Sequence, residues 1–448
     1  MENELFTTEK IPKIYIRMCL PLMMSMIVTL IYNLADTYFV AQTADTDLVA
    51  GVSLGAPVFT LLMAFGNIFG QGGASLVSRQ LGKGDKNAVR HVSAFCFYIT
   101  ILLGAIAAVF MLLLRDPILS LLGAAEGTWE HASAYYTCLA IGAPAIMLSF
   151  IHSNLLRSEG LSKESLIGTV GGALINIVLD PILISGLQMG AKGAAIATVI
   201  GYLCADVFFV IIVHRRSRLF SMKPSEMNIP GNSLIQILGI GIPAAIVNVM
   251  QSVSVVMVNQ FLLPYGSDRI AAMGIVLKVN LIATLILTGF TFGAQPMFGY
   301  YYGSGDHRRF QELSSFCMKF VGPLSLLLTA VLFPAAGILL RFFMDNDQIV
   351  SNGTLMLRCQ VITMFFVGMI MLITIMFQST GKIAASFILS VSRQGIVFFI
   401  VLLAAVRIGG YTGILAAQAI ADAITFVIAA SLYAMQLSPR MSRRIHHA

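Results

Sequence analysis

Residues 82–96 read GKGDKNAVRHVSAFC, and residues 303–317 read GSGDHRRFQELSSFC. At an offset of 221, Gly72, Gly82, Gly84, Asp85, Ser93, Phe95 and Cys96 match Gly293, Gly303, Gly305, Asp306, Ser314, Phe316 and Cys317. Each segment follows a long apolar run and precedes another. Working outward from them, ~20 apolar residues are needed to cross a bilayer core of about 30 Å. Twelve such runs are present: 14–40, 48–79, 88–114, 131–155, 163–187, 191–213, 234–264, 270–302, 314–340, 355–379, 382–406 and 410–436. They are continuous rather than alternating, which predicts helices and not barrel strands. Pro21 and Pro243 occupy similar places near the starts of runs 1 and 7.

The chain therefore reads as an all-α integral membrane protein of twelve transmembrane helices in two pseudo-symmetric six-helix lobes. The expected division is 1–213 for the first lobe, 214–233 for a basic, Pro-containing cytoplasmic linker, and 234–448 for the second lobe. An even number of spans per half leaves both halves in the same orientation. Their symmetry axis then runs along the membrane normal, with the substrate site between them.

Composition agrees. Hydrophobic residues are 57% of the 448, charged residues only 11%, and mean hydropathy is +0.86. A soluble domain carries roughly a quarter of its residues charged. The net charge of +7 is distributed as a membrane protein distributes it, not as a nucleic-acid binder does. With the N-terminus inside, the inner loops collect Lys10, Lys13, Arg17, Arg79, Lys83, Lys86, Arg90, Arg157, Lys163, Arg215, Arg216, Arg218, Lys223, Arg308, Arg309, Lys382 and the tail Arg440, Arg443 and Arg444. The outer loops hold only Arg115, Lys192, Arg269, Arg341 and Arg407, beside acids such as Asp45, Asp47, Asp116, Glu126, Glu130, Asp345 and Asp347. This basic bias places both termini in the cytoplasm. The first apolar run is too long for the h-region of a cleaved signal. The six cysteines form no CxxC pair and the seven histidines no ligand spacing, so neither a disulfide framework nor a zinc site is expected. GVSLG at 51–55 fits G-x-S-x-G but lies in an apolar helix without the strand-turn-helix context. There is no Walker A, HExxH or GxGxxG pattern. The expectation is a transporter rather than an enzyme, without a cofactor, and driven by an ion gradient rather than by ATP.

Ionisable groups inside apolar runs are costly and mark function by default. Asp36 lies in run 1, with Asn33 one turn earlier on the same face. Run 5 reads NIVLDP, so Asn176 and Asp180 stand at i and i+4 on one face. Pro181 frees a carbonyl on the preceding turn and bends the helix. Thr198 in run 6 sits at a comparable depth. Two carboxylates converging in a dry cavity repel one another. Such a pair can hold one proton or, with the Asn and Thr oxygens, one hard cation such as sodium. The alternative is a buried hydrogen-bonded cluster that only bends run 5. Asp206 and Asp422, in matching runs 6 and 12, read as structural pairs with backbone or Arg partners, or as functional acids. Lys278 and Arg393 either pair with acids or snorkel. Glu159, in RSEG at the end of run 4, either attracts cations at the cytoplasmic mouth or is a solvated loop residue. His152 reads as a satisfied helix-end residue. The 24 Met and 29 Phe mostly pack, but could line a cavity with an adaptable apolar wall.

Together, Pro21 and Asp36 in run 1, QGGASLVSRQLGKGD after run 2, NIVLDP in run 5 and SRQG (Ser392, Arg393, Gln394, Gly395) in run 11 resemble the multidrug and toxic compound extrusion (MATE) family over essentially the full length. The resemblance implies a V-shaped bacterial inner-membrane protein, acting as a monomer. It implies export of small organic cations against protons or sodium by alternating access. Asp36, Asn176, Asp180 and Thr198 match the family's N-lobe cation cluster. Asn33, Glu159, Lys278, Arg393 and Gln394 are candidates for the substrate path. Another branch carries acids in runs 7 and 10. Here run 7 offers Asn248 and Gln251, and no acid lies between Val361 and Gln378. The chain thus looks more like the DinF/MepA-type branch, and a local match places Glu159 on an acid suspected there in drug handling. At the repeat offset Asp36, Asn176 and Asp180 fall opposite Val258, Val397 and Val401, allowing one residue of slack in run 1. The halves share a scaffold but not their chemistry. The alternatives are a lipid-linked oligosaccharide flippase of the same broad fold, for which Lys278 and Arg393 are few bases, and a channel or scaffold without coupled transport, which two acids in one half weigh against.

Overall fold

A computed structural model describes residues 6–217, 219–343 and 346–438. Arg218, Asp345, Arg440, Arg443 and Arg444, used above to orient the chain, lie outside the described residues. The helices are α1 (Ile11–Ala41), α2 (Thr46–Lys83), α3 (Lys86–Leu113), α4 (Glu126–Ser158), α5 (Ser162–Pro181), α6 (Gly190–Arg215), α7 (Gly231–Leu262), α8 (Ser267–Phe292), α9 (Gln295–Gly303), α10 (His307–Phe343), α11 (Asp347–Val361), α12 (Met364–Thr380), α13 (Ile383–Val391) and α14 (Val397–Gln436). No strand occurs among the described residues.

Ten helical stretches are each long and apolar enough to cross a bilayer, and α11 with α12, bent by 44°, makes one more. The last of the ten, Ile383–Gln436, has 54 residues. Straight, it would be about 80 Å long, more than twice a bilayer core. It is not straight. Gly410 has φ 53° and ψ −122°. A Cβ on Gly413 would strike the carbonyl of Ala405, eight residues earlier, whereas a straight helix holds such residues about 12 Å apart. The chain doubles back at Gly410, so this stretch is two spans, and the total among the described residues is twelve.

The repeat at 82–96 and 303–317 recurs bond for bond. Gly84 and Gly305 both adopt the left-handed conformation, with φ 76° and 72°. That ends a helix with a C-cap only glycine takes without strain. Asp85 N–H donates to the Gln80 carbonyl and Asp306 N–H to the Tyr301 carbonyl, each at 3.0 Å. The two aspartates then cap the next helix. Asp85 accepts from Ala88 N–H and Asp306 from Arg309 N–H, each at 2.9 Å.

Two compact units result. Among the described residues the first holds 24–245, and the second 6–23 with 246–438. The division falls inside α1 and α7, just beyond Pro21 and Pro243, where proline removes a backbone donor and bends the helix. It does not fall in the expected linker, 214–233, which belongs wholly to the first unit. That segment is tied to α3: Tyr98 donates to the Met222 carbonyl at 2.7 Å, and Ser221 N–H donates to Ser93 Oγ at 3.0 Å.

In the first unit α4 is the central helix, packed against α2, α3 and α6. Its Tyr136, Leu139, Ala140, Ala143 and Ile146 are fully buried. On α3, by contrast, Leu102, Ile106, Val109 and Leu113 form one stripe that is 55%, 54%, 58% and 77% exposed. Such a stripe is suited to lipid and not to water. In the second unit α8 packs on α11 and α10 on α12, repeating the pairings of the first.

Candidate functional site

α5 and α6 cross at close range in the first unit. A Cβ on Gly172 would meet the Gly201 carbonyl oxygen at 2.6 Å, and one on Gly201 would meet the Gly172 carbonyl oxygen at 2.8 Å. The two backbones touch because neither residue has a side chain, the way helices approach in lipid. One turn from the crossing, this contact brings Asn176 of α5 to Thr198 of α6. Asn176 Nδ2 donates to Thr198 Oγ1 at 3.3 Å. Gly201→Ala should push the helices apart, break this bond and cost about 1–3 kcal/mol. Thermal denaturation in detergent checks the stability change, and ion titration of the same sample checks the weakened site.

Asp180 follows Asn176 by one turn and is fully buried, Asn176 being 2% exposed. The next residue, Pro181, cannot donate to the carbonyl of Ile177 four residues before it. After it the helix widens into a π-turn, Ile182–Gly186, a device frequent at functional sites. From α1 comes Asp36, close enough to Asp180 for its charge to be felt there. Three tyrosines complete the setting. The Tyr32 hydroxyl lies within hydrogen-bonding reach of Thr198. Tyr135 of α4 lies near both carboxylates, and Tyr202 of α6 lies near Tyr32 and Tyr135.

The donor set is all oxygen. Asp36 Oδ1, Asn176 Oδ1 and both carboxylate oxygens of Asp180 are buried without a protein hydrogen-bond donor. Among the described residues no Lys, Arg or His forms an ion pair with either acid, and no three His, Cys, Asp or Glu gather as a metal site. Burying charge without a partner is costly, so the arrangement favours a proton or a small hard cation among these oxygens.

The other candidates lie elsewhere. Asn33 is exposed; the residue of α1 that accompanies Asp36 inward is Tyr32. Glu159 is 5% exposed and caps the end of α4, so it is not a solvated loop residue. It follows Tyr135 by 24 residues on that helix, about 36 Å along the axis, and is no part of the cluster. Lys278 is exposed on α8, with no ion pair among the described residues. Arg393, in the π-turn Ser392–Ile396, donates from Nε to Asp422 at 3.0 Å. The same carboxylate accepts from Gln418 at 3.0 Å and Thr363 at 3.1 Å. The carbonyl of Gln394 accepts from Ser254 at 2.5 Å. Arg393 is therefore a neutralised structural group. Sequence reasoning missed all three tyrosines. Tyr32 stands four residues before Asp36 and Tyr202 four after Thr198, a spacing that could have found them. Tyr135 carries no such signal.

Twelve spans among the described residues, in two matching sets, with a buried Asp180 beside Asp36 in one of them, define a multi-span helical membrane transporter. The MatE profile matches twice, over residues 21–182 and 243–403, once in each half. The chain belongs to the MatE family, as a MepA-type member. It is 31% identical over 422 residues to the multidrug export protein MepA of Staphylococcus saprophyticus, covering 94% of this chain and 93% of that one. With its namesake from Staphylococcus aureus it shares 30% identity over 98% of both. A MATE protein solved in complex with MaL6 is 22% identical with a TM-score of 0.91, over 97% of this chain and 98% of that one. At that identity the likeness is one of fold.

Proposed function

We propose that this protein exports small organic cations across a bacterial inner membrane, in exchange for protons or sodium, with both termini in the cytoplasm. The observation that carries the reading is the fully buried Asp180 beside the half-buried Asp36, with orphaned oxygens on both and no ion pair to either among the described residues. The export of drugs is supported by the MepA relatives, whose name describes multidrug export.

The cluster accounts for exchange in three steps. A proton or sodium ion entering from outside is held by Asp36 and Asp180, with Asn176 and Thr198 as neutral ligands. Its charge cancels the repulsion between the acids and draws α1 and α5 together, at the turn Pro181 has already weakened. The drug-binding state is then disfavoured, and an organic cation arriving from the cytoplasm reverses the balance. Two ligands that each favour a different state of one element are coupled reciprocally. Met and Phe supply the adaptable apolar wall that varied cations need. No observation favours the flippase reading, since Arg393 is neutralised by Asp422.

Purified protein in liposomes, loaded with ethidium and given a sodium gradient or a pH gradient separately, tests the proposal. One of the two gradients is expected to accelerate efflux at least about tenfold, within the range of a typical coupling energy. Efflux indifferent to both gradients would sink it.

A further inference from the structure

A second ionisable pair lies in the first unit, outside the cluster just described. His152 of α4 and Asp206 of α6 are 3% and 5% exposed. Nδ1 of His152 stands 3.8 Å from Asp206 Oδ1, a distance for an ion pair and too long for a hydrogen bond. Neither ring nitrogen and neither carboxylate oxygen has a protein hydrogen-bond partner. His152 is the only buried histidine among the described residues. A structural histidine satisfied by protein has its nitrogens bonded, and no protein group bonds those of His152.

Three facts give the pair a direction. Thr198, Tyr202 and Asp206 follow at intervals of four on α6, which puts them on one face. Thr198 belongs to the cation cluster, Tyr202 lies near Tyr32 and Tyr135 at one end and near Asp206 at the other, and Asp206 meets His152. Beyond His152 is a cavity with room for about one water molecule, lined among others by Ser93, Phe97, Phe220, Ser221 and Met222. The last three belong to the linker, at the end of the unit that the basic loops assign to the cytoplasm.

Among the described residues no further ion pair reaches His152 or Asp206. From α3 it meets Phe97, whose ring centroid is 5.6 Å from the imidazole; from α6 it meets Phe209, at 6.1 Å. Ser149 of α4 lies beside the Asp206 carboxylate. From α5, Gly168 presents no side chain and packs on Phe209; Glu164, at the near end of that helix, is paired with Arg216 at 3.0 Å. The linker offers Ser221 between Phe220 and Met222. Tyr202 of α6 is a further titratable neighbour of Asp206.

We infer that His152 and Asp206 form a proton-exchange site that connects the cation cluster, along Tyr202, to the cytoplasm. A proton leaving the acid pair passes by way of the Tyr32 and Tyr202 hydroxyls to Asp206. It reaches the His152 imidazole when the two side chains close from 3.8 Å to hydrogen-bond distance, and leaves through water in the cavity. Each step transfers one proton and leaves the donor ready to accept another. The inference rests on the exchange reading above and specifies protons as a driving ion.

The test uses the full chain in liposomes containing a trapped pH-sensitive dye, with ethidium added to start exchange. His152→Gln and Asp206→Asn are expected to lower ethidium-driven proton flux at least about tenfold, as loss of a proton-transfer group does. Ethidium affinity, read by fluorescence, should stay at the wild-type value. Tyr202→Phe keeps the ring, removes only the hydroxyl and should lower the flux too, which decides the matter if Asp206→Asn does not fold. Free imidazole should restore flux to His152→Ala, an effect that a merely structural role would not produce. Wild-type protein that exchanges protons while these variants match its flux and pH profile overturns the inference alone. Wild-type protein that moves ethidium on a sodium gradient without proton flux overturns the inference and leaves the exchange reading standing. Wild-type protein that responds to neither ion overturns both.

Discussion

Asp180→Asn should abolish ion-driven ethidium efflux and leave the protein folded. The side chains are nearly isosteric, and the change removes a buried charge that no protein base compensates. Stability is therefore expected to hold or rise, because burial disfavours an unpaired charge. Transport is expected to fall because the driving ion loses the group that tells it from solvent. A coupling energy of about 1–3 kcal/mol corresponds to about 5–150-fold in affinity. The initial rate under the better gradient should thus drop at least about tenfold, and ethidium affinity should stop responding to that ion. Asp36→Asn should do the same. The double variant should be little worse than either single one, since residues acting as a unit are not additive. Stopped-flow efflux from proteoliposomes and a melting curve on the same preparation measure both halves of the prediction. Gradient-driven efflux at the wild-type rate in either single variant would remove the acids from the mechanism.

The fold was legible because its signals are local. Runs of apolar residues set the spans, and a glycine followed by aspartate sets a matching corner in each half, at Gly84–Asp85 and again at Gly305–Asp306. Asp36, Asn176, Asp180 and Thr198 could be grouped because a carboxylate within an apolar run is conspicuous wherever it falls. The unit boundary was not legible. Pro21 and Pro243 were visible, but which unit the first part of α1 or α7 joins is set by tertiary packing. Tyr135 and His152 were not readable either. Their partners, Asp36 and Asp206, lie on other helices, and no spacing within α4 announces them. The pairing of Arg393 with Asp422 was readable and needed one step more. At the repeat offset of 221 these residues fall opposite Gly172 and Gly201, the two glycines on which α5 and α6 cross. One half crosses its last two spans backbone on backbone. The other fills the same place with an ion pair.

That substitution makes the second large prediction one of stability. The Asp422 carboxylate is 1% exposed and accepts from Arg393 in the π-turn, Gln418 in α14 and Thr363 at the break between α11 and α12. One buried acid thus joins three elements of the second unit. Arg393→Met should remove the compensating charge and leave Asp422 buried, a loss of about 3–5 kcal/mol for breaking a buried pair from one side. Arg393→Met combined with Asp422→Leu should regain most of it, since replacing a buried ion pair by apolar groups is often neutral or stabilising. Thermal denaturation of the wild type, both single variants and the double variant forms a cycle whose interaction term measures the pair. The double variant also separates scaffold from chemistry. If the driving ion is held in the first half, a folded protein without Arg393 and Asp422 still couples ethidium efflux to the gradient at close to the wild-type rate. A double variant that melts like the wild type but no longer responds to either gradient would move the coupling chemistry into the second half, and would make the two glycines of the first half the scaffold instead.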